Sequence, residues 1–130
     1  MLTDAKLTAF AATTDAARAR TFYGGVLGLT LRSEDDFALS FDAGGVELRV
    51  QKVERLTPQS FTVLGWQVED VADVVRRLAA QGVAMERYPW LEQDAQGVWS
   101  APSGARIAWF KDPDRNLLSV AEYPATFHHS

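Results

Sequence analysis

Few side chains in this 130-residue chain are equipped for chemistry. It holds no cysteine and only two histidines, His128 and His129, both at the end of the sequence. Without thiols, disulfides, thiolate zinc centres and cysteine nucleophiles are excluded. Ser100, Ser103 and Ser119 lie in no nucleophile-elbow motif and have no histidine nearby to serve as base, so a hydrolytic triad is not indicated. Proton transfer would fall to a carboxylate such as Glu47 or Glu86, made more basic by an apolar cleft. Glu34, Asp35, Asp36 and Asp42 carry the oxygens that Mg²⁺ or Ca²⁺ prefers, but their spacing matches no calcium loop, and solvated loop acids are expected. His128 and His129 are expected to form a solvated tail. Aromatic residues concentrate in the second half as Trp66, Tyr88, Trp90, Trp99, Trp109 and Phe110. Four tryptophans exceed what a domain this size needs for its core. Their flat faces suit an aromatic ligand, a dimer interface, or packing of sheet on helix.

The rest of the composition is that of one ordinary domain: 47% of residues are hydrophobic and 23% charged, enough to bury a core. The formal charge is −4 and the basic residues are scattered, which argues against a nucleic-acid surface. No apolar run approaches the ~18 residues of a membrane span. Met1-Leu2-Thr3-Asp4-Ala5-Lys6 lacks the basic-then-apolar order of a signal peptide, so a cytoplasmic protein is expected.

The elements that must position these groups alternate in type. Leu7 to Thr13 reads as a strand; Thr14-Asp15 then caps an amphipathic helix striped by Ala16, Ala19, Phe22, Tyr23, Val26 and Leu27 and broken at Gly24-Gly25 and Gly28. Strands follow over 29–34, 37–42 and 46–51, the last two joined by a Gly44-Gly45 hairpin turn. A polar connector with Pro58 covers 53–60. The order then repeats: a strand over 61–68, a helix capped by Glu69-Asp70 and striped by Val71, Val74, Val75, Leu78 and Ala79, and strand candidates over 83–90, 97–101, 105–110 and 117–123. Asp112-Pro113-Asp114-Arg115 specifies a tight type I reversal before Asn116. Asp15 and Asp70 open equivalent helices, so one module used twice is the simplest account.

Asp15-Ala16-Ala17-Arg18-Ala19-Arg20-Thr21-Phe22-Tyr23, then Val26-Leu27-Gly28-Leu29, and later Phe110-Lys111-Asp112-Pro113-Asp114-Arg115-Asn116 together resemble the vicinal oxygen chelate superfamily. That group includes glyoxalase I, extradiol dioxygenases, and the bleomycin and fosfomycin resistance proteins. The resemblance covers essentially the whole chain. It implies an α+β fold of two βαβββ modules, about 5–52 and 61–123 with a tail over 124–130, forming a curled mixed sheet around a cleft in a single domain, commonly in a homodimer. Arg115 stands where the family usually has Gly; an unchanged turn would hold it in a conformation that is cheap only for Gly.

Metal-dependent relatives bind one divalent ion through His and Glu at four positions, and the resemblance carries these onto Thr8, Glu47, Val63 and Ser119. Only Glu47 ligates strongly; a valine has no donor and neutral hydroxyls hold such ions poorly. A catalytic site needs about three protein ligands and an open position, so no metal and no cofactor are expected.

The two-residue period puts Thr8, Phe10 and Ala12, then Gly45, Glu47, Arg49 and Gln51, then Phe61, Val63, Gly65 and Gln67 on the cleft side. It puts Trp66 on the opposite side, under the second helix. Thr8, Phe10, Glu47, Arg49, Val63, Gln67, Trp90, Trp99, Trp109 and Ser119 are the expected ligand-binding residues, an apolar floor with a few polar groups. Glu47 and Arg49 could instead pair with each other. The resulting expectation is a metal-free binder of a small, aromatic or amphipathic organic molecule, similar to the drug-sequestering members. The alternatives are a glyoxalase-like lyase, isomerase or dioxygenase with a displaced or metal-independent site, and a structural or regulatory dimer with no ligand.

Overall fold

The computed structural model describes residues 1–124; His128 and His129 lie outside the described residues. Its elements run β1 (Thr8–Thr13), α1 (Ala16–Ala19) continued by a π-helical segment (Arg20–Val26), β2 (Thr30–Glu34), β3 (Ala38–Ala43), β4 (Val46–Lys52), β5 (Leu64–Gln67), α2 (Val71–Ala80), β6 (Trp99–Ser100), β7 (Arg106–Lys111) and β8 (Leu117–Glu122). This is βαβββ twice. The strands form two four-stranded mixed sheets of identical connectivity, β1-β4-β3-β2 and β5-β8-β7-β6, each with one parallel pair between its first and last strands. The chain divides into two compact units, Met1–Pro58 with Asp112–Asn116, and Gln59–Lys111 with the chain from Leu117.

In the first unit, alternation along the strands sorts side chains by face. Ala11, Leu39, Phe41, Leu48 and Val50 are buried on one side together with Ala19, Phe22 and Tyr23 of the helical segment. The Tyr23 ring meets Phe22 edge-on at 5.3 Å and Phe41 at 5.8 Å. The sequence predicts a plain α-helix here, whereas the structure keeps α geometry for one turn and then widens to a π-helix from Arg20. Asp15 caps the start, its carboxylate accepting from the Arg18 N–H at 3.1 Å. The β3–β4 turn has both glycines at positive φ, 66° for Gly44 and 92° for Gly45, which a two-residue hairpin requires and other residues adopt only with strain.

The segment Asp112–Asn116 brings two carboxylates into this unit. The Asp112 carboxylate accepts from the Tyr23 hydroxyl (2.6 Å), the Asn116 side-chain amide (2.8 Å) and the backbone N–H groups of Asp114 and Asn116 (2.9 Å each). The Asp114 carboxylate accepts from the Thr13 hydroxyl (2.5 Å), the Thr14 N–H (2.9 Å) and the Thr14 hydroxyl (2.8 Å), with the Arg18 guanidinium 3.6 Å away. Asn116 also donates to the Ala12 carbonyl at 2.9 Å. All these acids and amides are buried, and no buried side-chain polar atom among the described residues lacks a partner. The turn is the predicted reversal, closed by Arg115 N–H to the Asp112 carbonyl at 2.9 Å. Arg115 has φ 70° and is the only non-glycine with positive φ among the described residues.

In the second unit, Val71, Val75 and Leu78 of α2 face a sheet side where Ala108, Phe110, Leu118 and Val120 are buried. Asp70 caps the helix by accepting from Asp73 N–H at 3.1 Å, and Glu122 accepts from Val71 N–H at 2.9 Å, so two otherwise orphaned donors are satisfied. Trp66 shares this side by parity with Leu118 and Val120, as predicted. The strand expected over 83–90 does not form; the stretch makes only an isolated bridge, Met85 to Phe110. Its groups are taken up locally instead. The Gln93 side chain donates to the carbonyls of Glu86 and Gly97 and accepts from Tyr88 N–H, and the Arg87 guanidinium holds the carbonyls of Asp94 and Ala95. These bonds tie residues 86–97 into a loop, which the Glu86 N–H joins to β7 by donating to the Trp109 carbonyl at 2.7 Å.

Two expected outcomes follow from the acidic turn. Replacing Arg115 by Gly relieves a left-handed conformation that costs about 1–2 kcal/mol, against about 0.5–1 kcal/mol of added unfolded-state entropy. Arg115→Gly should therefore stabilise the protein by up to about 1 kcal/mol, read as a higher urea midpoint at unchanged slope; a lower midpoint would contradict this. Burial pushes the Asp114 carboxyl up, but the Thr13 and Thr14 hydrogen bonds and the Arg18 charge outweigh it and hold the group below its ordinary range. A depressed native value contributes stability above the unfolded carboxyl pKa of about 4 and loses it as pH falls through the native one. The stability gap between wild type and Asp114→Asn should therefore shrink below about pH 4 in thermal melts; a gap that stays constant down to pH 2 would rule this linkage out.

Candidate functional site

Each sheet has a face turned away from its helix, and the sequence-predicted site residues divide between these two faces. In the first unit, Thr8 lies opposite Glu47 and Phe10 opposite Arg49 on the parallel β1–β4 pair, while Ser40 and Asp42 of β3 lie opposite Arg49 and Glu47. A polar hollow of about 440 Å³ is lined by Lys6, Thr8, Arg32, Ser40, Asp42 and Glu47, among others. Both of its acids are engaged by arginines. The Glu47 carboxylate accepts from the Ser40 hydroxyl at 2.8 Å and from the Arg49 guanidinium at 3.4 Å. Arg32 donates to Asp42 at 2.8 Å, which with the Gly45 N–H holds the Asp42 carboxyl below its ordinary range. Phe10, about half exposed, is the apolar member of this face.

In the second unit the open face is aromatic. Across the strands, Gly65 lies opposite Ser119 and Ser119 opposite Trp109; one row on, Gln67 lies opposite Ala121, Ala121 opposite Ile107 and Ile107 opposite Trp99. Val63, whose N–H donates to the Leu117 carbonyl at 2.8 Å, precedes Gly65 by one period of the strand. Trp99 and Trp109 have ring centroids 6.1 Å apart, Trp109 meets Tyr88 at 5.6 Å nearly edge-on, and Tyr88 meets Trp90 at 5.0 Å. The structure thus brings the three predicted tryptophans together through Tyr88. Trp90, 75% exposed, ends the run on the 86–97 loop. Burial and then the Glu86 charge raise the Tyr88 hydroxyl, which stays protonated at neutral pH.

Three participants were not singled out as site residues by the sequence reading. Ser40 shares the Glu47 side of β3 by the same two-residue parity that placed Glu47 and Arg49, and that parity would have found it. Tyr88 lies in a stretch read as a strand, and its role as the link between tryptophans depends on the loop fold. Gly65 was placed on the cleft side, yet its register opposite Ser119 is a property of pairing.

The metal positions implied by the family resemblance do not fit an ion. Thr8 and Ser119 offer neutral hydroxyls and Val63 a hydrocarbon, and the one acid, Glu47, already accepts from a serine and an arginine. Matching the modules by helix cap and strand register makes Arg49 the counterpart of Ser119, which sets a cation where a ligand would be wanted. No three His, Asp or Glu side chains converge on one point among the described residues. Glu86 pairs with Lys111 at 3.4 Å, and Glu122 lies on the helix side of its sheet at the start of α2.

Comparison with known proteins agrees with this architecture. A search of curated protein sequences returned no match. Among solved structures, a glyoxalase/bleomycin resistance protein/dioxygenase from Alicyclobacillus acidocaldarius superposes with a TM-score of 0.72 at 16% identity, covering 97% of both chains. The genomically encoded fosfomycin resistance protein FosX from Listeria monocytogenes does so with 0.72 at 16% identity, over 92% of this chain and 93% of that one. Lactoylglutathione lyase from Agrobacterium tumefaciens gives 0.71 at 18% identity, over 92% and 93%. Identities this low establish a shared fold and nothing finer. The family model for the Glyoxalase/Bleomycin resistance protein/Dioxygenase superfamily matches residues 7–120, and with its paired βαβββ modules the chain belongs to that superfamily.

Proposed function

We propose that this protein binds a small organic molecule without a metal ion, in the manner of the drug-sequestering members of its superfamily, as a cytoplasmic homodimer. The observation that carries the reading is the state of Glu47. Glu47 is the one strong donor among the four implied positions; Ser40 and Arg49 already bond to its Oε2, and the other three positions supply no anionic or imidazole donor to complete an ion site with it. The aromatic run on the second sheet supports an organic ligand, since half-buried rings already ordered against one another, with Trp90 exposed at their end, stack on a flat guest with little further loss of freedom. The cysteine-free composition suits the cytoplasm. Among the described residues no helix is long and apolar enough to cross a membrane.

The superfamily relatives include a fosfomycin resistance protein and a lactoylglutathione lyase, so metal-dependent transformation is the competing reading. Titration with Ni²⁺, Zn²⁺ and Mn²⁺ separates the two. The expected outcome is no stoichiometric binding in the micromolar range and an unchanged melting temperature, whereas an aromatic ligand well above its Kd raises the melting temperature by several degrees. Tight, stoichiometric metal uptake, or chelator-sensitive turnover of a hemithioacetal or catechol, would refute the proposal. Light scattering that returns a monomer would remove the homodimer from it.

A further inference from the structure

The chain from Asp112 to Asn116 belongs to the first unit, while β7 and β8, the strands it joins, belong to the second. Its own shape is set from within. Asp112 N–H donates to the Asn116 carbonyl at 3.1 Å and Arg115 N–H to the Asp112 carbonyl at 2.9 Å, while the N–H groups of Asp114 and Asn116 share the Asp112 carboxylate at 2.9 Å each. The β7–β8 ladder reaches the segment directly, with Lys111 opposite Leu117. A folded hairpin is therefore enough to form the turn. Residues 1–58 have no such independence. The buried Tyr23 hydroxyl donates to Asp112, the Thr14 N–H and hydroxyl donate to Asp114, and the Ala12 carbonyl, on the edge strand β1, accepts from Asn116. Closing the first unit without the turn would bury the Tyr23 hydroxyl with nothing to bond, and would forgo the bonds at Ala12 and Thr14 as well. The Asp114 carboxylate takes no part in the turn's own bonds; its donors are Thr13 and Thr14.

We propose that Asp112–Asn116 is a strap, formed on the hairpin of the second unit, without which the first unit does not close. The dependence runs one way. The first unit opens as one cooperative piece while the second stays folded, and the second does not open while the first stays closed, because unfolding β7 and β8 withdraws the turn that the first unit needs. The open form exposes Tyr23, Phe41 and Leu48 of the first core and leaves α2 packed on its own sheet. This stands apart from the small-molecule reading above, and neither depends on the other.

Amide hydrogen exchange of the full chain, read residue by residue, tests this, because protection reports how rarely the opening that frees each amide is visited. In wild type, amides of the central strands β3 and β4 should be at least tenfold less protected than those of β7 and β8. Tyr23→Phe makes the closed first unit less favourable relative to every open form, so it should lower protection in both strand pairs by one common factor of at least three. Arg77→Gly weakens only the exposed side of α2, and should lower β7 and β8 at least threefold while leaving β3 and β4 within twofold of wild type. If Arg77→Gly lowers both pairs alike, the chain opens all at once; if Tyr23→Phe spares β7 and β8, the units open independently. Either result overturns the strap. Asp114→Asn decides the matter if Tyr23→Phe shifts nothing or does not fold. It should give the same common loss, or open the first unit outright with native tryptophan fluorescence, since all four tryptophans lie in the second unit. Unchanged exchange in Asp114→Asn, or loss of native fluorescence together with the first unit, would overturn the strap.

Discussion

Two buried carboxylates set the terms for the first unit. Asp112 and Asp114 lie in a low-dielectric setting where an unmatched charge would cost several kcal/mol; Asp114 draws its donors from Thr13 and Thr14, about a hundred residues away in sequence, and Asp112 draws one from Tyr23 and the rest from its own turn. Satisfying Asp114 fixes the end of β1 at Thr13 and, at Thr14, the residue that precedes the helix cap. Satisfying Asp112 fixes the hydroxyl of Tyr23, whose ring packs against Phe22 and Phe41. Burial and the Asp112 charge both push the Tyr23 hydroxyl up, so it remains a donor at any pH at which the protein folds. The polar and apolar parts of this core are therefore one arrangement. Moving the ring breaks the hydrogen bond, and moving the acid exposes the ring. That coupling explains how a left-handed Arg115 is tolerated, since Asp114 before it and Asn116 after it are already anchored.

Much of the fold was legible because its signals are local. Asp15 and Asp70 cap helices by the side-chain geometry their residue type supplies, Gly44-Gly45 permits only a narrow choice of turn, and Asp112-Pro113 presets a reversal. Strand parity was equally readable, and so the division of each sheet into a helix side and an open side could be assigned residue by residue, including Trp66. What could not be read depended on partners distant in sequence. The 83–98 stretch alternates like a strand, but Gln93 and Arg87 satisfy its backbone from within, and nothing in the local pattern announces that their side chains will compete with a neighbouring strand. The widening of the first helix from Arg20 was invisible for a similar reason. Hydrophobic spacing tolerates either helical period over so few turns.

The candidate site shows the same boundary. Sequence placed Thr8, Glu47 and Arg49 on one face, and left open whether the acid would pair with the arginine; the structure shows the pair and adds Ser40. It also placed Val63, Gly65 and Gln67 together, but the register of a parallel pair is not encoded in either strand alone. With the helix caps aligned, the two implied positions Glu47 and Ser119 stand two residues apart along the strand: Thr8 faces Glu47, whereas Gly65, the counterpart of Phe10, faces Ser119. A shift of two keeps every side chain on its own face, so burial does not penalise it, whereas a shift of one would invert the sheet. Residue parity is thus constrained by the core, while alignment along the strand is free to vary with the site.

That freedom bears on what the open face of a sheet can hold. Losing a single ligand leaves the remaining anionic donors crowded and unpaired, a state that burial and like-charge repulsion disfavour. Here no such residue of a former site persists. Three of the implied positions are neutral, the fourth carries a hydrogen-bonded counterion, and the register counterpart of Ser119 is itself a cation. Both acids of the first open face are matched without an ion, Glu47 by Arg49 and Asp42 by Arg32. The second carries ordered rings and a serine hydroxyl, and no charge from the strands at these positions. An ion held by carboxylates and imidazoles demands convergent charge, and stacking demands flat area with charge kept away. A single sheet face serves one of these well only by giving up the other, and the face that carries Trp99 and Trp109 has the flat area without the convergent charge.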